Sequence, residues 1–237
     1  MECGENYINY RCEKCGNLQR IHTSCKQRTC RRCARIMSRN LVKAYLPIAE
    51  TFQWACLLTL TLRSAPSGDV REQLDKILAS FCKLRRRKIW NAEKGIYHVE
   101  IIKKGGKSWY IHLHALIDSK WMDQKALSHA WLGITGDSFI ADIRRIKGGR
   151  RGSLREVLKY QTKMWELDRE DEIFIEDVFK GRRFVGSFGI QKPEKEKLTS
   201  LKCKICDGAL HPLENPYHRK IGSGDWRDQL ADYDDST

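Results

Sequence analysis

No stretch of the chain is apolar for long enough to cross a bilayer. The longest apolar run, Trp54 to Leu62, carries two threonines and reads as a buried strand. The first residues include Glu2 and Glu5 and lack the basic start and apolar middle of a secretory signal. A soluble cytoplasmic protein with no membrane partner is therefore expected. No Gly-x-x-x-x-Gly-Lys-Ser/Thr segment occurs, which excludes a P-loop nucleotide motor within these residues. The sequence shows no internal repeat except a recurring Cys-x-x-Cys knuckle. Acidic side chains are scarce beside basic ones, 30 against 44, for a net charge of +14. Apolar residues make up 41% of 237, enough for one main core and a small appendage.

The excess positive charge is clustered. Lys83 to Lys88 contains Arg85, Arg86 and Arg87; a second cluster holds Arg144, Arg145, Lys147, Arg150 and Arg151. Such groups neutralise phosphates and make nucleic-acid binding steeply salt-dependent. The plainer alternative is a pair of solvated faces. Seven Trp, eight Tyr and seven Phe allow base stacking, although most of them belong to a core.

Ten cysteines without a secretory signal point to metal rather than disulfides. Cys12/Cys15 and Cys30/Cys33 are two Cys-x-x-Cys pairs with 14 residues between them. Each pair turns two thiolates toward one point, so together they make a tetrahedral zinc site with no open position. Cys25 offers a further thiolate, either replacing one of the four or simply buried, and His22 is a weaker rival. Arg28, Arg31, Arg32, Arg35 and Arg39 surround the segment with charge suited to DNA phosphates. A third knuckle, Cys203/Cys206, precedes His211 and His218. It reads either as a second Cys2His2 zinc site or as a lone pair without metal. Cys3, Cys56 and Cys82 read as isolated thiols.

Chemistry concentrates in two segments. In Trp109 to Ile117, residues Ile111, Leu113, Ala115 and Ile117 alternate with His112 and His114. A period of two predicts a strand with both imidazoles on the face away from the core, close enough to share an ion. Tyr160 lies 46 residues after His114, within a helix expected over 153–165 with Ser153 as N-cap. Glu156, Tyr160 and Lys163 share one face of it. Two imidazoles alone hold Mg2+ or Mn2+ poorly, so a carboxylate is expected beside them. A strand over 95–103, joined to the histidine strand by a turn at 104–107, supplies Glu100, with His98 as its rival on the same face. Helices over 38–54, 70–91 and 123–132 and strands over 57–62 and 138–143 complete the pattern. The order predicts an α+β domain: an antiparallel sheet with helices packed on one side. Expected boundaries are 1–39 for a zinc segment, 40–195 for the main domain, 196–221 for the last knuckle and 222–237 for an acidic, disordered tail.

The His-hydrophobic-His strand followed by Tyr160-Gln161-Thr162-Lys163 resembles the HUH endonucleases, in the branch of rolling-circle replication initiators of small plasmids. Leu57-Leu58-Thr59-Leu60-Thr61-Leu62 resembles the threonine-bearing strand that forms their first motif. The order matters, because relaxases place the tyrosine ahead of the histidines. The resemblance spans roughly residues 54–190 and implies metal-dependent nicking and joining of single-stranded or hairpin DNA at a replication origin. His112, His114 and Glu100 would hold Mg2+ or Mn2+. Tyr160 would be the nucleophile that keeps a 5′-phosphotyrosine, with Lys163 lowering its pKa or touching phosphate. Glu156 matches a glutamate that activates water when replication ends. No second tyrosine lies three or four residues from Tyr160, which argues against a two-tyrosine mechanism. Strand separation and synthesis would fall to a host helicase and polymerase. A transposase of the same superfamily, or a non-enzymatic zinc-dependent regulator, are the competing readings.

Overall fold

A computed structural model describes residues 3–104, 108–158, 167–191 and 201–213. In chain order the elements are β1 (Tyr7–Cys12), β2 (Leu18–His22), α1 (Arg31–Glu50), β3 (Ala55–Thr61), β4 (Ala65–Pro66), α2 (Val70–Leu84) and β5 (Lys94–Lys104). There follow β6 (Ser108–Asp118), α3 (Gln124–Thr135), β7 (Ala141–Arg145), α4 (Arg150–Val157), α5 (Arg169–Phe179), β8 (Val185–Phe188) and β9 (Leu210–Pro212). The fold is α+β with antiparallel sheets. No helix among the described residues is long and apolar enough to cross a membrane. The chain divides into two units, residues 37–193 and residues 1–36 with 194–237. The last knuckle thus belongs with the N-terminal segment instead of forming a division of its own.

In the larger unit a six-stranded sheet runs β7-β3-β6-β5-β8, with β4 beside β6. All its pairings are antiparallel. Alternation along β3, β5 and β6 turns Leu58, Leu60, Val99, Ile101, Ile111, Leu113 and Ala115 to one face. There they meet Leu74, Ile77 and Phe81 of α2, Trp131 of α3 and Ile175 and Val178 of α5. Leu113 is fully buried, so truncation to alanine would cost about 2–5 kcal/mol.

The other face is covered too, at the end holding Ala55, Ile96 and Leu116. Val42, Tyr45 and Ala49 of α1, Leu154 and Val157 of α4 and Leu158 just after it pack there. Helices therefore lie on both faces of the sheet rather than one. The apolar stripes of α1 and α4 need a partner surface, and these three sheet residues provide it.

Element ends differ from expectation for local reasons. α1 starts at Arg31 and not near residue 38, because the Cys30/Cys33 knuckle is itself the first turn, with Ala34 N–H donating to Cys30 O at 2.8 Å. α2 stops at Leu84, its last buried residue, before four consecutive cations. Trp90 then folds back onto Phe81 and Phe188, at ring separations of 5.7 and 5.8 Å. α4 begins at Arg150 with Gly149 at its N-cap, so Ser153 lies inside the helix instead of capping it. α5 was not expected. Asp168 caps it by accepting from Asp171 N–H at 2.8 Å, and three acidic residues in its first turn complement the helix dipole.

In the smaller unit β1 is flanked by β2 and β9, both antiparallel. The two outer knuckles have one design. Gly16 N–H donates to Cys12 O, and Asp207 N–H donates to Cys203 O, each at 3.0 Å. The residue after each second cysteine, Gly16 or Asp207, has a positive φ (70° and 56°), which reverses the chain.

Candidate metal centres

The cysteines converge in two tetrads, and not as their order along the chain suggests. Cys12 and Cys15 join Cys203 and Cys206, while Cys30 and Cys33 join Cys3 and Cys25, all four sulfurs of each set lying within 4.8 Å of one another. This corrects the expected Cys12/Cys15/Cys30/Cys33 site. Cys25 adds to the Cys30/Cys33 pair instead of substituting in it, and Cys3 is not an isolated thiol. The cause is the pairing of β9 with β1, which carries the last knuckle to the first. Cys12–Cys206 and Cys15–Cys203 separations are 3.4 and 3.7 Å, and Cys3–Cys33 and Cys25–Cys33 are 3.4 and 3.6 Å. Tetrahedral thiolates about 2.3 Å from zinc stand about 3.8 Å apart, so each tetrad could hold a zinc ion. The backbone N–H of Cys15 on its sulfur, helped by that of Lys14, draws the Cys12 thiol down to about 6 against the opposing effect of burial. Gly208 closes over this tetrad: a Cβ there would stand 2.9 Å from the Cys12 sulfur.

The histidines expected at the second zinc site are elsewhere. His211 pairs with Glu13, Nε2 to Oε2 at 3.0 Å, and His218 lies outside the described residues. His22 meets the carbonyl of Gly4 at 2.7 Å rather than a cysteine cluster.

The second candidate centre is on the sheet. In register, β6 sets His114 opposite Thr59 of β3 and His98 of β5, and His112 opposite Thr61 and Glu100. Residues directly opposite share a face, so the two histidines, two threonines and Glu100 form one polar patch. Thr59 Oγ1 meets His114 Nδ1 at 3.1 Å, and Thr61 Oγ1 meets His112 Nδ1 at 3.0 Å. With its inner nitrogen so engaged, each ring has Nε2 as its outer donor. His114 Nε2 reaches Glu100 Oε2 at 3.0 Å, and the two side chains are 29% and 21% exposed, open enough to admit a ligand. Burial pushes the Glu100 carboxyl up. The His114 hydrogen bond and the fields of His114, His98 and His112 outweigh that and hold it below its ordinary value.

Among the described residues, the cysteine tetrads are the groups whose donors already converge. The His112 and His114 ring centroids stand 6.1 Å apart. His98 is 1% exposed, so Glu100 is the more accessible of the two β5 candidates. Trp131 of α3 anchors the patch from the opposite face, its Nε1–H donating to Thr61 O at 3.0 Å.

α4 packs on the histidine side of the sheet through Leu154 and Val157, with Leu158 just after it. Glu156 is exposed on it. Tyr160 and Lys163 lie outside the described residues.

A family model described as replication protein matches residues 17–207. The chain belongs to the replication protein family. Neither the curated proteins nor the solved structures give a significant match. The matched span of this replication protein contains His112, His114, Glu100, Thr59, Thr61 and Tyr160, and five of the eight tetrad cysteines.

The arginines singled out in the sequence separate into two groups. Arg86, Arg87, Arg144 and Arg151 are exposed. Arg85 stacks over Phe188 at 4.8 Å, and Arg150 donates to Phe52 O at 3.1 Å. Arg145, though also exposed, holds the carbonyls of Ser119 and Lys120. Sequence reasoning placed Thr59 and Thr61 in a motif without a role. Their register against the two histidines is the signal that supplies one.

Proposed function

We propose that this replication protein nicks and rejoins single-stranded DNA through a 5′-phosphotyrosine on Tyr160, starting rolling-circle replication of a plasmid. The observation that carries the reading is the patch on β3, β5 and β6: two imidazoles with their inner nitrogens on threonine hydroxyls and a carboxylate at their outer edge. Two nitrogens and an oxygen suit Mn2+ or Mg2+, so His112, His114 and Glu100 would hold the ion. Once bound, it would polarise a non-bridging oxygen of the scissile phosphate.

The remaining work falls to the chain. Leu158 is buried on the histidine side of the sheet, and the two residues to Tyr160 span at most about 7 Å. The phenolic oxygen attacks phosphorus in line, forming the P–Oη bond and breaking P–O3′. The phenol gives up its proton and the departing 3′ oxygen takes one, leaving a 3′-hydroxyl for a polymerase. A phenol of pKa about 10 is only about 0.1% ionised at neutral pH, and Lys163, three residues on in the sequence, would favour the phenolate. Rejoining runs the same exchange backwards. A host helicase and polymerase would open and copy the strand.

The test is cleavage of an end-labelled single strand from the cognate origin with Mn2+. The wild type should nick it, and His114→Ala and Glu100→Ala should lower the rate by at least about 100-fold. Cleavage undiminished in both variants would refute the metal site.

A further inference from the structure

Tryptophan is seldom left in water, and the chain buries Trp109 and Trp131 completely. Trp54 and Trp121 are instead 48% and 66% exposed. Both lie at the end of the sheet where β3 begins and β6 ends. The Arg145 guanidinium lies over the Trp54 ring, 5.4 Å from its centroid. The same guanidinium donates to Ser119 O at 3.3 Å and to Lys120 O, the residue before Trp121. Asp118 fixes the other side of Trp54, accepting from its backbone N–H at 2.6 Å and from that of Gln53 at 3.2 Å. Ser119 N–H returns to Trp54 O at 3.0 Å. The Trp54 backbone and the segment leading into Trp121 are thus tied together by one arginine and one aspartate, with both rings left accessible.

Basic side chains are prominent around the two rings. Lys120, Arg144 and Lys147 are exposed here against Glu93 and Asp123; Arg144 pairs with Asp142 at 2.8 Å, and Asp118 is occupied by the two backbone N–H groups and by Lys94 at 3.6 Å. Exposed aromatic faces beside basic side chains suit a polyanion carrying stackable rings, since any base can stack and phosphates meet the charges. We infer that Trp54 and Trp121, linked through Arg145, form a stacking platform for the bases of single-stranded DNA outside the histidine patch. The inference rests on DNA as the partner in the proposed function, but not on the metal or on Tyr160. Asp118 lies four positions beyond His114 along β6, about 13 Å at strand rise. Bases held on the platform therefore belong to the strand flanking the scissile phosphate.

The experiment titrates fluorescein-labelled oligothymidylate into the full-length protein without added Mg2+ or Mn2+, so that no strand is cut, with a duplex of mixed sequence in parallel. Trp54→Ala and Trp121→Ala should each weaken single-strand binding about five-fold or more, the loss of one base stack. Duplex binding should be unchanged, as should the salt slope of single-strand binding. Trp54→Phe should retain most of the affinity, and Lys120→Gln should lower the salt slope instead. Trp121, the more exposed ring, keeps the test open if Trp54→Ala unfolds. Wild-type affinity in Trp121→Ala, or equal weakening of single strand and duplex, would overturn the platform while leaving the nicking proposal intact. A wild type that binds no oligothymidylate would remove the DNA premise and the platform together.

Discussion

A histidine on a strand can rotate its ring and carry its proton on either nitrogen. The hydroxyls of Thr59 and Thr61 restrict both freedoms at His114 and His112. A hydroxyl can donate or accept, so the bond survives a change of tautomer. In a neutral ring with its proton on Nε2, toward Glu100, Nδ1 accepts from the hydroxyl. With an ion on Nε2 instead, Nδ1 would carry the proton and donate it to the hydroxyl. Valine has the shape of threonine and neither capacity. Thr59→Val and Thr61→Val should therefore weaken Mn2+ binding about 10–100-fold, read by the electron spin resonance of free Mn2+, and serine should restore most of it. Unchanged affinity in both valine variants would leave the threonines without this role. Glu156 carries a separate expectation. If it activates water at termination, Glu156→Ala should nick at the wild-type rate yet stay attached to DNA, visible as persisting adduct on a denaturing gel. Equal loss of nicking and release would remove that role.

Elements were legible where one physical signal dominated. The alternation in β6 was plain because the residues that alternate with the histidines, Ile111, Leu113 and Ala115, are buried in the core, and Glu100 could be placed because a hairpin fixes register. The start of α4 was misread because Gly149 caps without a side chain, whereas Ser153 looks like a cap and is not one. α5 was missed because Ile173, Phe174, Ile175, Val178 and Phe179 give a strand-like composition, although Asp168 three residues ahead of Asp171 was a usable signal. The partition of the cysteines was illegible for a different reason. Spacing forms a knuckle, but which knuckles meet is decided by β9 pairing with β1 across nearly the whole chain. The clue was the likeness of Cys12-x-x-Cys15-Gly16 to Cys203-x-x-Cys206-Asp207, both ending in residues that tolerate a left-handed turn. Zinc per chain, measured by native mass spectrometry, tests the partition. The double variant Cys12→Ser/Cys203→Ser should keep one ion, because both cysteines serve one tetrad. Cys12→Ser/Cys30→Ser should lose both ions. The reverse pattern would restore the pairing suggested by chain order.

At the scale of the whole molecule, the net charge of +14 and the family match make DNA the expected partner. One unit gathers its cysteines into two closed sets, and the other leaves a half-open imidazole–carboxylate patch on a sheet anchored by Trp131. Four thiolates would leave a zinc ion no position for substrate, so the proposed chemistry is placed at the patch. The central claim is that a phenolic oxygen from the segment after α4 reaches the phosphate held there. The most direct measurement is the mass of the covalent peptide formed when the protein is incubated with its origin strand and Mn2+, then digested. The account predicts one adduct, a 5′-phosphate on Tyr160, absent from Tyr160→Phe and from His112→Ala. An adduct on another residue, or one that persists in Tyr160→Phe, would contradict it.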